Sequence, residues 1–252
     1  MRQTWAILKF TLKENISNKV FKGFIAFTIL ILLGIVVFKS LALYSQNDVV
    51  IGIGQLAIEF FLLLIAIFAS STQYFKDKKE KSIYLILTKP VSKTQYIWGK
   101  TLGIIALIGI DIIIMGGILT VILLLGKANL TAIYYLAYLY MFYKLAIIIA
   151  IGVLFSVISD SMITSNIFTI LVYILAYGVY ELPLLAKQVG GGALNWLFMT
   201  LYYILPNYYS LTIRDALLPQ ISLHVLSTTL YSIGYCVIIM VIASMIFQRK
   251  EL

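Results

Sequence analysis

Three ionisable side chains stand inside stretches that are otherwise apolar: Glu59, Asp111 and Lys144. A charge in the middle of a long apolar run is costly and rare. Where it occurs it pairs with another charge, lines a path for a polar solute, or relays protons. Asp111 and Lys144 are the best matched in position. Counting helical rise from the nearer end of each run puts Asp111 roughly 15 Å deep and Lys144 roughly 16 Å deep. Their runs are consecutive and antiparallel, so direct contact between the two is expected. Three readings stay open: a buried neutralising pair, a lining for a pathway or gate, or a Lys144 that snorkels to an interface. Glu59 lies nearer the outer end of its run.

Other chemistry is weakly represented. Gly99-Lys100-Thr101 looks like the end of a P-loop, but that motif needs a glycine five residues earlier to cradle phosphates, and position 94 is Thr94. Gly52 and Gly54 mimic a dinucleotide fingerprint, yet they open an apolar run and not a βα turn. With a single cysteine, Cys236, and a single histidine, His224, the chain offers no zinc or haem cluster and no intrachain disulfide. An intramembrane hydrolase would need paired aspartates or a Ser–His pair at one depth. Only Asp111 is deep, and His224 is peripheral. No catalytic residue and no metal ligand is therefore assigned.

The elements that must position these charges follow from composition. The chain has 252 residues, of which 62% are apolar and 12% charged, and its mean hydropathy is +1.02. A soluble domain carries about twice that share of charge. The composition excludes an ordinary soluble enzyme and a disordered chain. It specifies an all-α integral membrane protein. Six runs reach the ~20 residues that cross a bilayer: 23–43, 51–75, 101–125, 133–158, 165–185 and 225–247. None alternates as a barrel strand would.

The net charge of +9 would suggest nucleic acid in a soluble chain. Here the placement of the charges reads as topology. Of the 19 Lys and Arg residues, 14 fall in 1–22, in 76–100 and at Arg249 and Lys250. This bias puts both termini and the 76–100 segment in the cytoplasm. The expected location is the cytoplasmic membrane, with several passes. Trp5, Ile7, Leu8, Leu12 and Ile16 recur at helical spacing among lysines, which predicts an interfacial amphipathic helix over 1–22. Residues 193–205 form an apolar run too short to span. They follow three glycines and precede Pro206, so 186–224 is expected to be an external or re-entrant segment with short helices.

The most informative stretch is 76–100, KDKKEKSIYLILTKPVSKTQYIWGK. It begins charged, turns apolar at Ile83–Leu87, breaks at Lys89-Pro90, and restarts at Ser92, a residue suited to cap a helix. A short helix with an exposed apolar face fits either a protein partner or the lipid surface. In this order of Glu80, Leu85, Leu87, Pro90, Val91, Ser92, Lys93, Gly99 and Lys100, the stretch resembles the cytoplasmic loop of ABC-2-type permeases, the membrane subunits of ATP-binding-cassette transporters. The six spans, the N-terminal helix, the 156–165 turn and the long external loop are similar too, so the resemblance covers essentially the whole chain. The stretch Leu205–Leu218 more loosely resembles the permease of nitrous-oxide-reductase maturation transporters.

The resemblance implies a single transmembrane domain over 1–252. It implies that the permease dimerises or pairs with a paralogue, and that each copy docks a separate ATPase subunit. That contact falls on Glu80, Ser82, Leu85, Leu87, Pro90 and Val91 of the 76–97 coupling segment. ATP and Mg are then expected in the ATPase, none in this chain. Two functional classes follow: a permease moving a substrate across the membrane, or a mechanotransmitter that drives an external partner protein without transport.

Overall fold

The computed structural model describes residues 2–38, 46–80, 91–189, 192–211 and 221–249, with no strand among them. The elements are α1 (Arg2–Ser17), α2 (Lys19–Phe38), α3 (Gln46–Lys79), α4 (Lys93–Leu125), α5 (Ala132–Ile158) and α6 (Met162–Gly178). They continue as a 3-10 turn (Val179–Glu181), α7 (Leu182–Gln188), α8 (Ala193–Ile204), a second 3-10 turn (Tyr209–Leu211) and α9 (Ile221–Arg249). Ser82, Leu85, Leu87 and Pro90 lie outside the described residues, as does the apolar run Ile83–Leu87.

Among the described residues, five helical stretches are long and apolar enough to cross a membrane: α3, α4, α5, α9 and the run from α6 through α7. The α1–α2 pair, bent by 61° at the Asn18 break, makes a sixth candidate. The chain is thus an all-α membrane protein. α5 is central, packed against α3, α4, α6 and α9. Its Ile147, Ile148, Ile149 and Ala150 are fully buried, because this helix is apolar all round.

Helix starts follow local chemistry. The Ser92 hydroxyl accepts the Gln95 N–H at 3.2 Å, and the Gln95 side-chain oxygen accepts the Ser92 N–H at 3.1 Å. This reciprocal box satisfies donors that a helix start leaves orphaned. Ser161 caps α6 one way, its hydroxyl accepting the Thr164 N–H at 3.2 Å.

Close approaches use bare backbone. A Cβ at Gly103 would lie 2.8 Å from Thr11 Cβ and 3.0 Å from the Leu8 carbonyl, and one at Gly99 would lie 2.8 Å from Ile7 Cβ. α1 is therefore seated on the first turns of α4 along a Gly-xxx-Gly groove. It is packed against protein as well as bearing exposed Trp5 and Phe10. At Gly152 of α5 a Cβ would stand 2.9 Å from Ser70 Cβ on α3 and 3.5 Å from Thr169 Cγ2 on α6. Next to it, the Ser71 hydroxyl donates to Asn166 Oδ1 at 2.6 Å, fastening α3 to α6.

Candidate functional site

The polar residues gather in two places. The first is the lysine-rich end of the bundle, where α3 stops and α4 begins on either side of residues 81–90. Three helices each contribute polar side chains one turn apart: Thr11 and Asn15 on α1, Gln73 and Asp77 on α3, Tyr96 and Lys100 on α4. Residues four apart share a helix face, so each pair points at the same junction. The Lys100 ammonium lies 2.8 Å from Asp77 Oδ2, 2.8 Å from Gln73 Oε1 and 3.6 Å from Glu14 Oε2. Asp77 also accepts the Tyr96 hydroxyl. The Gln73 amide donates to Asn15 Oδ1 at 3.0 Å, and Asn15 donates to the Thr11 carbonyl at 3.0 Å. Lys76 closes the ring on Glu14 at 2.5 Å.

Asp77 and Lys100 are both buried, each about 5% exposed. Two cations, Lys76 and Lys100, face two anions, Glu14 and Asp77, so the junction is neutral. That balance is what allows charges to sit away from water. α9 joins through aromatic packing. The Phe247 ring lies 5.9 Å from both Tyr74 and Tyr96, and the Gln248 amide donates to Thr94 Oγ1 at 2.7 Å. The junction therefore binds α1, α3, α4 and α9 into one block at the ends of α3 and α4 between which the chain runs through residues 81–90. Glu80 is exposed at the end of α3, and Val91 is half-buried just before the Ser92 cap.

The second place is deep in the apolar layer, and it departs from the expectation. Lys144 does not meet Asp111. Its ammonium lies 2.8 Å from Glu59 Oε1 on α3 and 3.5 Å from the Tyr177 hydroxyl on α6. Tyr177 also donates to Glu59 Oε1 at 3.1 Å. The reason is helical angle. Phe142 of α5 faces α4, where a Cβ on Gly109 would lie 3.4 Å from its ring. Lys144 is two positions on, roughly 200° round the helix, and so points into the α3–α6 side. Matched depth is not a matched face.

The segment between α8 and α9 is tied into this second cluster. Tyr208 is fully buried. Its hydroxyl donates to the Lys144 carbonyl at 3.3 Å, and its N–H donates to the Ala176 carbonyl at 3.3 Å. Its ring packs edge-on against Tyr173 and Tyr177. Asp111 stands apart. It is 3% exposed on the inner stripe of α4, and its Oδ2 has no hydrogen-bond partner among the described residues.

The sequence reading singled out Glu59, Asp111 and Lys144 but missed Glu14, Gln73, Asp77, Tyr96 and Lys100 as a cluster. The usable signal was the repeated four-residue spacing of polar groups at three helix ends. Residues 5–252 match the family model described as ABC-2 family transporter protein. Among curated proteins none matches the chain significantly.

Proposed function

Since the chain belongs to the ABC-2 transporter family, being a permease subunit of an ABC transporter, we propose that it carries an unidentified substrate across the cytoplasmic membrane, powered by a separate ATPase subunit. In this reading the lysine-rich end faces the cytoplasm, as the bias of basic residues supports. The ATPase docks on the 76–97 segment through Glu80, Ser82, Leu85, Leu87, Pro90 and Val91. ATP and Mg are bound by that partner. A second copy or a paralogue completes the transporter, and 186–224 forms the external segment.

One observation carries the proposal: the buried junction joins Gln73 and Asp77, which precede residues 81–90 of the docking segment, to Lys100, which follows them. A push on a loop with independent ends is absorbed by the loop. A push on a loop whose two stems share a buried ion network moves both stems together. α3 and α4 would thus be displaced as a unit, and α3 carries Glu59 of the deep cluster. The second reading, a mechanotransmitter acting on an external partner, uses the same levers and is supported by the Tyr208 tie between the outer chain and Lys144.

The test is co-purification with the co-expressed ATPase. Leu85→Asp and Leu87→Asp should release the ATPase while the permease still inserts. Undiminished co-purification would mean that the segment lies on lipid instead. Substrate-dependent ATP hydrolysis in liposomes separates transport from force transmission.

A further inference from the structure

Asp111 has no role in either cluster. It lies on the inner stripe of α4 with Ile104, Leu107, Ile108, Ile112 and Met115, all of them buried. Its Oδ2 is buried and, among the described residues, without a hydrogen-bond partner. The neighbours explain the isolation. α4 packs against α1, α2, α3, α5 and α9. From α1, Glu14 is engaged by Lys76 and lies near Lys100. α2 has only Lys19 and Lys22, both at its first turns. From α3, Asp77 holds Lys100 and Glu59 holds Lys144. From α5, besides Lys144, Tyr134 and Tyr138 bond each other and Tyr143 bonds Thr229, while the Tyr140 hydroxyl accepts from Thr228. From α9, Tyr231 takes the Asn207 N–H, Tyr235 donates to the Ile204 carbonyl, and Cys236 is a half-buried thiol. None of these forms a hydrogen bond or ion pair with Asp111.

We propose that Asp111 is a proton-binding site in the core of the bundle, occupied in this conformation. An unpaired carboxylate in an apolar layer is far more costly than a neutral carboxylic acid. Among the described residues no cation supplies the missing charge, so a proton does. A metal cation is a poor alternative. It needs several oxygen ligands, and the described residues contain no group of three or more His, Cys, Asp or Glu that would hold one. When the seam around α4 admits water, the O–H bond breaks, the proton leaves to water and the carboxylate stays solvated. The dry conformation therefore binds one more proton than a wetted one, and acid favours it. The inference does not depend on the cargo or on the docking segment.

The experiment uses the full chain purified in lipid nanodiscs. Infrared spectra of the wild type and of Asp111→Asn are compared for the C=O stretch of a protonated carboxylic acid. The band should be present in the wild type and lost in the variant. Identical spectra in that region would overturn the proposal. A second readout is the melting temperature from about pH 5 to about pH 8. Unfolding releases the proton, so wild-type stability should fall as pH rises relative to Asp111→Asn, and parallel curves would overturn the proposal. If the variant does not fold, dicyclohexylcarbodiimide labelling of wild-type protein at about pH 6 decides. This apolar reagent attacks protonated carboxyls, so an adduct on Asp111 supports the site and an unmodified Asp111 overturns it.

Discussion

The Lys100 ammonium sits 2.8 Å from the Asp77 carboxylate, so the last turn of α3 and the first turns of α4 share one buried charge pair. Breaking a buried pair by removing one partner typically costs about 3–5 kcal/mol. Lys100→Met should therefore lower thermal stability in detergent, because buried Asp77 loses the cation paired with it. Combining it with Asp77→Asn should restore much of the loss. The double variant, stable but without the pair, should hydrolyse ATP with its ATPase and transport poorly. Normal coupling in that variant would show that the pair is structural only.

A double-mutant cycle should place the deep partner of Lys144. Glu59→Gln and Lys144→Met should be strongly non-additive in thermal stability, by about 1 kcal/mol or more. Asp111→Asn and Lys144→Met should be closer to additive, since Lys144 is engaged by Glu59 and Tyr177. The reverse pattern would refute the geometry of the α3–α5 pair.

The α1–α4 groove predicts a contrast between two glycines of the same helix. Gly103→Ala puts a methyl 2.8 Å from Thr11 Cβ and should destabilise by about 1–3 kcal/mol through overpacking. Gly117→Ala meets nothing within 4 Å and should be neutral or slightly stabilising, since alanine is the better helix former. Melting curves of the two variants side by side test this.

Sidedness is checked with single cysteines in a Cys236→Ser background. A cysteine at Gln220 should react with an impermeant maleimide added outside intact cells. One at Lys79 should react only after permeabilisation. The opposite pattern would invert the proposed topology.

Much of this arrangement was legible in the residues. Long apolar runs gave the membrane helices, and the Ser92 cap after Lys89-Pro90 gave the start of α4. The Asp111–Lys144 contact failed because depth is a count along one axis, whereas pairing also needs the angle round each helix. Without knowing that Phe142 faces α4, nothing told which way Lys144 points. The junction at Lys100 was hidden for a related reason. Its members come from three helices, one of them (α1) far from the other two in the chain, and each alone reads as an ordinary polar residue near a membrane surface.

The meeting at Gly152 limits how this bundle is able to rearrange. Ser70 and Thr169 press on bare backbone there, with no long side chain between α3, α5 and α6 to act as a bearing. Packed helices slide past one another in small steps only when interdigitated side chains change rotamer. At the level of Gly152 the seam lacks such freedom, so the three helices would turn together as one rotor. With α4 and α9 tied to α3 at the Lys100 junction, relative travel must then be taken up at the margin, along α2.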